Sequence, residues 1–334
     1  GPAALWRPLP VLGGLKILPR GPGEPMALVN GARGGAAFAV VGALGATALL
    51  ERSTAVLALS AEAFAMPLEH YDPDLKDLWG DPFEGRALGD LGRWLAGAKR
   101  PEPRAHQAPV SWRIAPRVLG VAQRAAAVAL EVAGSALVSR SDNPAFIQDP
   151  GDPSRDRCLA TGGYHNGQAA RVLDGLNAAY ADVCVLAAKQ TTKLLDGRLS
   201  QLPPLLVSPA APVVGTEFCA WMPTDFAERA RWAATPALLS LGCDDPQGGQ
   251  SDVASPVFIA YERHGVAVES LAAALAVLAW VSSQALWLAE RPVAPPLAPL
   301  LAEVRALAPP LTPANAGHLG AGLAALARYL QDGE

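Results

Sequence analysis

The chain has 334 residues, 51% hydrophobic and only 17% charged, with a net charge of −4 and a pI near 5.8. That is enough apolar material for a large core, divided over one domain or two. The slight acidity and the lack of any Lys/Arg block exclude the electrostatic footprint of a nucleic-acid binder.

Gly1-Pro2 reads as a protease scar, leaving residues 3–334 as one helical domain with no leader, and a cytoplasmic location is expected. The first apolar run, Ala36–Leu50, is rich in Gly and Ala; it is too short to span a bilayer and suits close helix packing. From Pro67 to Gln107 the prolines at 73, 82, 101 and 103 predict a loop with one short helix near Ala87–Gly97. Polar residues Arg124, Glu131, Ser135 and Ser139 fall at helical spacing, so Pro116–Ser139 is predicted as a helix with one narrow wet stripe. Gln168–Asp196 follows the same rule and is expected to stop at Gly197; it would be ~40 Å long. Gly242–Pro256 cannot be helical, and a third long helix is predicted over Val257–Leu288. Its stretch Leu271–Ala289 is long enough for a membrane span, but Ser282, Ser283 and Gln284 interrupt it and no basic flank orients it. It reads as a buried central helix, with no membrane partner. Prolines cluster again over Pro292–Pro313, leaving a short terminal helix near Gly317–Leu330. No sustained strand alternation and no internal repeat is found, so the fold class is all-α, a bundle of long helices.

Cys158, Cys184, Cys219 and Cys243 form no C-x-x-C pair and have no His at ligand spacing; four reduced, mostly buried thiols and no metal are expected. The chemistry lies between the helices. HQAPVSWRIAPRVLG (106–120), SDNPAF (141–146) and ATGGYHNG (160–167) put Gln107, Arg113, Asn143, Tyr164 and His165 at helix ends, where polar groups can converge on one cavity.

Together with LVNG (28–31) and LPP (202–204), in order and over nearly the whole chain, these segments resemble the histidine and phenylalanine ammonia-lyase and aminomutase family. The resemblance implies a long-helix bundle of the aspartase/fumarase-like type, a tetramer-like assembly and sites shared between subunits. It also implies an electrophilic methylidene-imidazolone ring made from Ala-Ser-Gly, with a tyrosine base in an N-terminal loop. By the same resemblance Asn30 sits beside ring and substrate amine, Gln107 lines the pocket, and Arg113 clamps the substrate carboxylate with a planar two-pronged pairing. Tyr164 and His165 occupy the Asn-Phe positions of the family's Gly-Gly-Asn-Phe-His-Gly loop.

The sequence also departs from the family. The ring-forming tripeptide and the tyrosine base belong further upstream than this chain reaches, and both are expected to be absent. No displaced copy exists: Ala133-Gly134-Ser135 has the wrong order, and Pro256 in Ala254-Ser255-Pro256 has no N–H to lose. Val110 replaces a pocket tyrosine, Asn166 the loop histidine, and Ser251 the usual glutamate, each removing a titratable group. Each residue also has a structural alternative: an ion pair for Arg113, loop hydrogen bonds for Asn30 and Gln107, a filled bend for Tyr164, a helix cap for His165, a turn for Asn143 and an N-cap for Asp252. Tyr71 and Tyr261 are spare candidates for the missing base.

Three functional readings follow. In the first, this is the large part of a split ammonia-lyase or aminomutase, with catalytic Asn30 and Tyr164 and substrate-binding Gln107, Val110, Arg113 and Ser251. A separate N-terminal fragment supplies ring and base, within a homo- or hetero-oligomer. In the second, a lyase-fold enzyme without the ring performs an elimination or cyclisation in a biosynthetic pathway. In the third, an inactive homologue acts as a scaffold.

Overall fold

The computed structural model describes residues 31–99, 107–139, 141, 143–209, 216–239, 248–249, 252–313, 315 and 319–333. The first long helix, α1, spans Gly31–Phe64. Its Gly/Ala content does what the sequence suggested: a Cβ on Gly42 would stand 2.9 Å from Leu173 Cδ2 and 3.3 Å from His264 Nε2, so α1 lies almost backbone-close to its neighbours.

Helix α2, Pro82–Trp94, starts where Asp81 accepts from the backbone N–H of Phe83 and Glu84 and Pro82 needs no donor of its own. It packs against α3, Ala115–Val138, through Gly120, where a Cβ would lie 2.7 Å from Glu84 Cα. Arg117–Glu84, Arg124–Asp81 and Gln123–Asp90 contacts close the same seam. The stripe expected on α3 is too narrow, since Val121, Val128, Leu137 and Val138 are also exposed.

Helix α4, Gly167–Leu195, is capped by Asn166, whose side chain accepts from the N–H of Ala169. Helix α5, Phe218–Ala233, is one the sequence reading does not single out; it carries Pro223 inside, yet Cys219, Ala227, Ala230 and Ala233 still present a buried face to α4 and α6. Helix α6, Val257–Leu288, exposes Phe258, Glu262 and Glu269 in its first half, is apolar and buried over most of Ser270–Leu286, and packs on α4, α5 and the terminal helix Leu319–Asp332. Its N-cap is Pro256, so Asp252 does not cap it.

The proline-rich stretch expected over Pro292–Pro313 contains helix α7, Ala298–Leu307, because its prolines fall at the entry of the helix, where a missing N–H costs nothing. Helix α8, Leu319–Asp332, ends the chain's described part. Arg52 donates to the carbonyls of Leu330 and Gln331 at 2.6 and 2.7 Å, satisfying acceptors that the end of α8 leaves open. Likewise the predicted loop over Pro67–Gln107 is more ordered than expected, with short turns at Leu68–Tyr71 and Leu75–Trp79 before α2.

Three described helices, Ala32–Phe64, Ala115–Val138 and Val257–Leu288, are long and apolar enough to cross a membrane by length and composition. The most apolar window of the last is 72% buried within the protein, as a central helix requires. Its polar interruptions are partnered: Gln284 donates to Leu206 O and accepts from Leu311 N, Ser282 bonds back to Leu278 O, and Ser283 accepts from Arg305. Cys184 and Cys219 are buried free thiols, Cys158 is exposed and free, and Cys243 lies outside the described residues.

The chain divides into two compact units, Gly34–Arg140 with Asn166–Glu334, and Gly1–Arg33 with Ser141–His165. The second holds a small antiparallel hairpin, β1 (Ala145–Ile147) and β2 (Arg157–Leu159), with Phe146 opposite Cys158. Three residues per strand are too few to show as alternation in the sequence.

Candidate functional site

Within the larger unit, the site is built on the single helical turn Val110–Arg113, entered through Pro109. Trp112 is the anchor. Its ring is fully buried and stacked on Phe64 of α1 at 4.1 Å, its Nε1 donates to Ser60 Oγ at 3.1 Å, and its carbonyl accepts from Tyr71 Oη at 2.8 Å. On either side, Ala108 N donates to His70 Nε2 at 3.1 Å and Gln190 Nε2 of α4 donates to Ser111 O at 2.9 Å. Three separate elements therefore hold five residues of chain, and a buried aromatic with satisfied polar atoms fixes its rotation.

The same fixing turns Gln107 and Val110 outward; both are exposed. Arg113 is half-buried, and its Nε donates to Ala108 O at 2.9 Å. Among the described residues no carboxylate pairs with the guanidinium, and that bond is the hydrogen bond it makes. Among the described residues the ion-pair alternative therefore finds no partner for Arg113. A guanidinium held by Nε keeps its two terminal nitrogens side by side, the geometry that matches a carboxylate.

Tyr71 is no base: its hydroxyl is spent on Trp112 O, and burial holds it in the neutral form far above the ordinary phenol range. Tyr261 is stacked on Phe38 at 4.0 Å. His264, which the sequence reading passes over, is buried with Nδ1 2.8 Å from Asn177 Oδ1, and desolvation pushes its pKa down to about 4.

In the smaller unit, Asn143 accepts from Thr161 N at 2.8 Å, Thr161 Oγ1 accepts from Gly163 N, and His165 N bonds to Gly162 O. Asn143 thus holds the turn, as its structural alternative foresaw, and presents Tyr164 and His165 on the surface. The following helix is capped by Asn166, so His165 does not have that role; the residue that replaces the family histidine has become a cap. Asn30 and Ser251 lie outside the described residues.

Among the described residues no cluster of His, Cys, Asp and Glu could hold a metal. Nor do the residues present fit the ring. Ala133-Gly134-Ser135 is regular helix inside α3, and Pro256 of Ala254-Ser255-Pro256 is the N-cap of α6. Neither tripeptide fits the ring, and no chemical step is assigned to it.

The family model described as aromatic amino acid lyase matches residues 12–307. The chain belongs to that family. This aromatic amino acid lyase relative is similar to histidine ammonia-lyase of Photobacterium profundum, 30% identical over 204 residues, covering 59% of this chain and 38% of the other. It is also similar to histidine ammonia-lyase of Streptomyces coelicolor, 27% identical over 316 residues, covering 93% and 60%. Among solved structures, the phenylalanine aminomutase of Pantoea agglomerans superimposes with a TM-score of 0.80 at 17% identity, covering 92% of this chain and 63% of that one. The expected all-α lyase fold is thereby established. The chain spans roughly 40 to 60% of the length of these two histidine ammonia-lyases.

Proposed function

We propose that this chain is the substrate-holding part of a carbon–nitrogen lyase or aminomutase acting on an aromatic or histidine-like amino acid. Polypeptide outside these 334 residues supplies ring and base, in the split arrangement as a separate N-terminal chain. The observation that carries the reading is the unpaired Arg113 guanidinium, anchored through Nε and set on a turn that three elements hold still. Its terminal nitrogens meet no carboxylate among the described residues, and the planar pair they form suits a substrate's carboxylate. Val110 lies on the same turn and Gln107 just before it, Val110 being apolar where relatives by resemblance carry a tyrosine.

The test combines this chain with a family N-terminal segment that carries Ala-Ser-Gly. Complex formation is followed by native mass spectrometry, and turnover by ammonia release and the absorbance of an aryl- or imidazolyl-acrylate product. Turnover should appear only in the mixture and should fall ~30-fold or more in Arg113→Ala, since truncating one partner of a desolvated charge pair costs ~2–5 kcal/mol. A mixture that forms no complex, or one whose turnover ignores Arg113→Ala, overturns the proposal.

A further inference from the structure

Ala108, just ahead of the Val110–Arg113 turn, is held from two sides. Its N–H donates to His70 Nε2 at 3.1 Å, and its carbonyl accepts from Arg113 Nε at 2.9 Å. His70 is half-buried on the Leu68–Tyr71 turn, and its neighbour Tyr71 donates to Trp112 O at 2.8 Å. Ala108 itself is only 1% exposed, so water has little access to replace the imidazole at its N–H. Pro109 narrows the backbone further, because the residue before a proline is confined to extended conformations. The amide therefore cannot swing to a new acceptor without moving the carbonyl on which Arg113 rests.

We propose that His70 is a positioning residue that couples the Arg113 turn to pH: the neutral ring locks Ala108, and the protonated ring releases it. An imidazole nitrogen accepts a hydrogen bond only while it carries no proton. Proton uptake at Nε2 sets N–H against N–H, and a buried amide left without an acceptor is costly, so either the ring or Ala108 must move. The consequence for substrate binding rests on reading Arg113 as the carboxylate holder, since the same motion unseats the guanidinium. The charged groups around the turn have other engagements. Glu69 and Asp72 lie on the turn or beside it, Asp72 Oδ1 accepting from Asp74 N, and Lys99 lines a cavity with Glu69. Glu62 at the end of α1 accepts from Ala294 N, and Arg291 donates to Glu62 O. From α2, which packs on the turn, Glu84 pairs with Arg117 and Asp90 with Arg93, while Arg86 lies over the Phe83 ring. The Ala108 N–H is met by His70 and by none of these.

The test is residue-level hydrogen exchange of the Ala108 amide on the whole 334-residue chain from about pH 8 to about pH 5.5, a range that spans ordinary imidazole titration. Rates are corrected for the pH dependence of free amides, and the His70 ring is titrated by its Cε1–H resonance. Protection of Ala108 should fall about tenfold as His70 takes up its proton, the weight of one ordinary hydrogen bond. Trp280, fully buried in α6, reports global opening and should not follow the His70 curve. In His70→Gln, whose side-chain carbonyl accepts at every pH, protection should stay at its high-pH level; in His70→Leu it should be low throughout. Protection that ignores the His70 titration, keeps its pH dependence in His70→Gln, or survives His70→Leu overturns the proposal. The measurement uses neither ring nor partner chain, so such a result strikes His70 alone, whereas a reconstituted mixture indifferent to Arg113→Ala strikes the functional reading.

Discussion

Replacing Gly120 by alanine should destabilise the protein, while the same change at Gly134, fourteen positions along the same helix, should stabilise it. Alanine is favoured over glycine in a helix by ~1 kcal/mol at either site. The difference is what the new methyl meets. At Gly120 it would lie 2.7 Å from both Cα and N of Glu84, backbone atoms that cannot rotate aside, whereas at Gly134 nothing lies within 4 Å. Moving α2 away would stretch the Arg117–Glu84 pair and disturb the Asp81 cap, so the overpacking cost belongs in the upper part of its ~1–3 kcal/mol range. Net expectations are a loss of ~1–2 kcal/mol for Gly120→Ala and a gain of ~1 kcal/mol for Gly134→Ala, a separation of ~2–3 kcal/mol. Urea denaturation monitored by circular dichroism, with matching slopes, reads that separation directly. Equal midpoints for the two variants would refute the close approach of α2 and α3.

Tyr71→Phe should cost ~1–2 kcal/mol, because it strips the buried Trp112 carbonyl of its strongest donor, and hydrogen exchange at Trp112 and Arg113 should speed up. Gln284→Leu removes the partners of Leu206 O and Leu311 N together; a loss of ~2–4 kcal/mol is expected, with the Leu311 amide exposed to exchange. His264 gives a pH signature. Its folded pKa of about 4 lies below the ordinary 6.5, so the unfolded chain takes up the proton first and stability declines as pH falls from 6.5 to 4, by ~3 kcal/mol in all. Above pH 6.5 the residue contributes no slope, and His264→Gln should flatten the acid limb of a stability–pH curve.

The long helices were legible because burial imposes a 3.6-residue period on them, and the helix expected over about Val257–Leu288 is found there. Helix α5 escaped because Pro223 reads as a breaker, and α7 because its prolines read as loop rather than as helix entry. Gln107, Val110 and Arg113 were found through their local pattern. Their supports were not: Ser60, His70, Tyr71 and Gln190 reach the turn from 38 to 79 positions away, and nothing in a run of residues announces such a meeting. His264 escaped likewise, since Asn177, the residue that makes its burial tolerable, lies 87 positions away.

Over Ser270–Leu286 helix α6 offers the burial of apolar surface little preference for how it is rotated or slid along its axis, since that half is buried on nearly every side. His264, Ser283 and Gln284 supply what burial cannot. Each finds its partner at only one angle and one height, so together they act as detents on a smooth shaft. Sequences drifting in this family can therefore exchange most apolar positions of the shaft freely, but a change at one detent should leave a bundle that still collapses while its central rod loses a fixed setting.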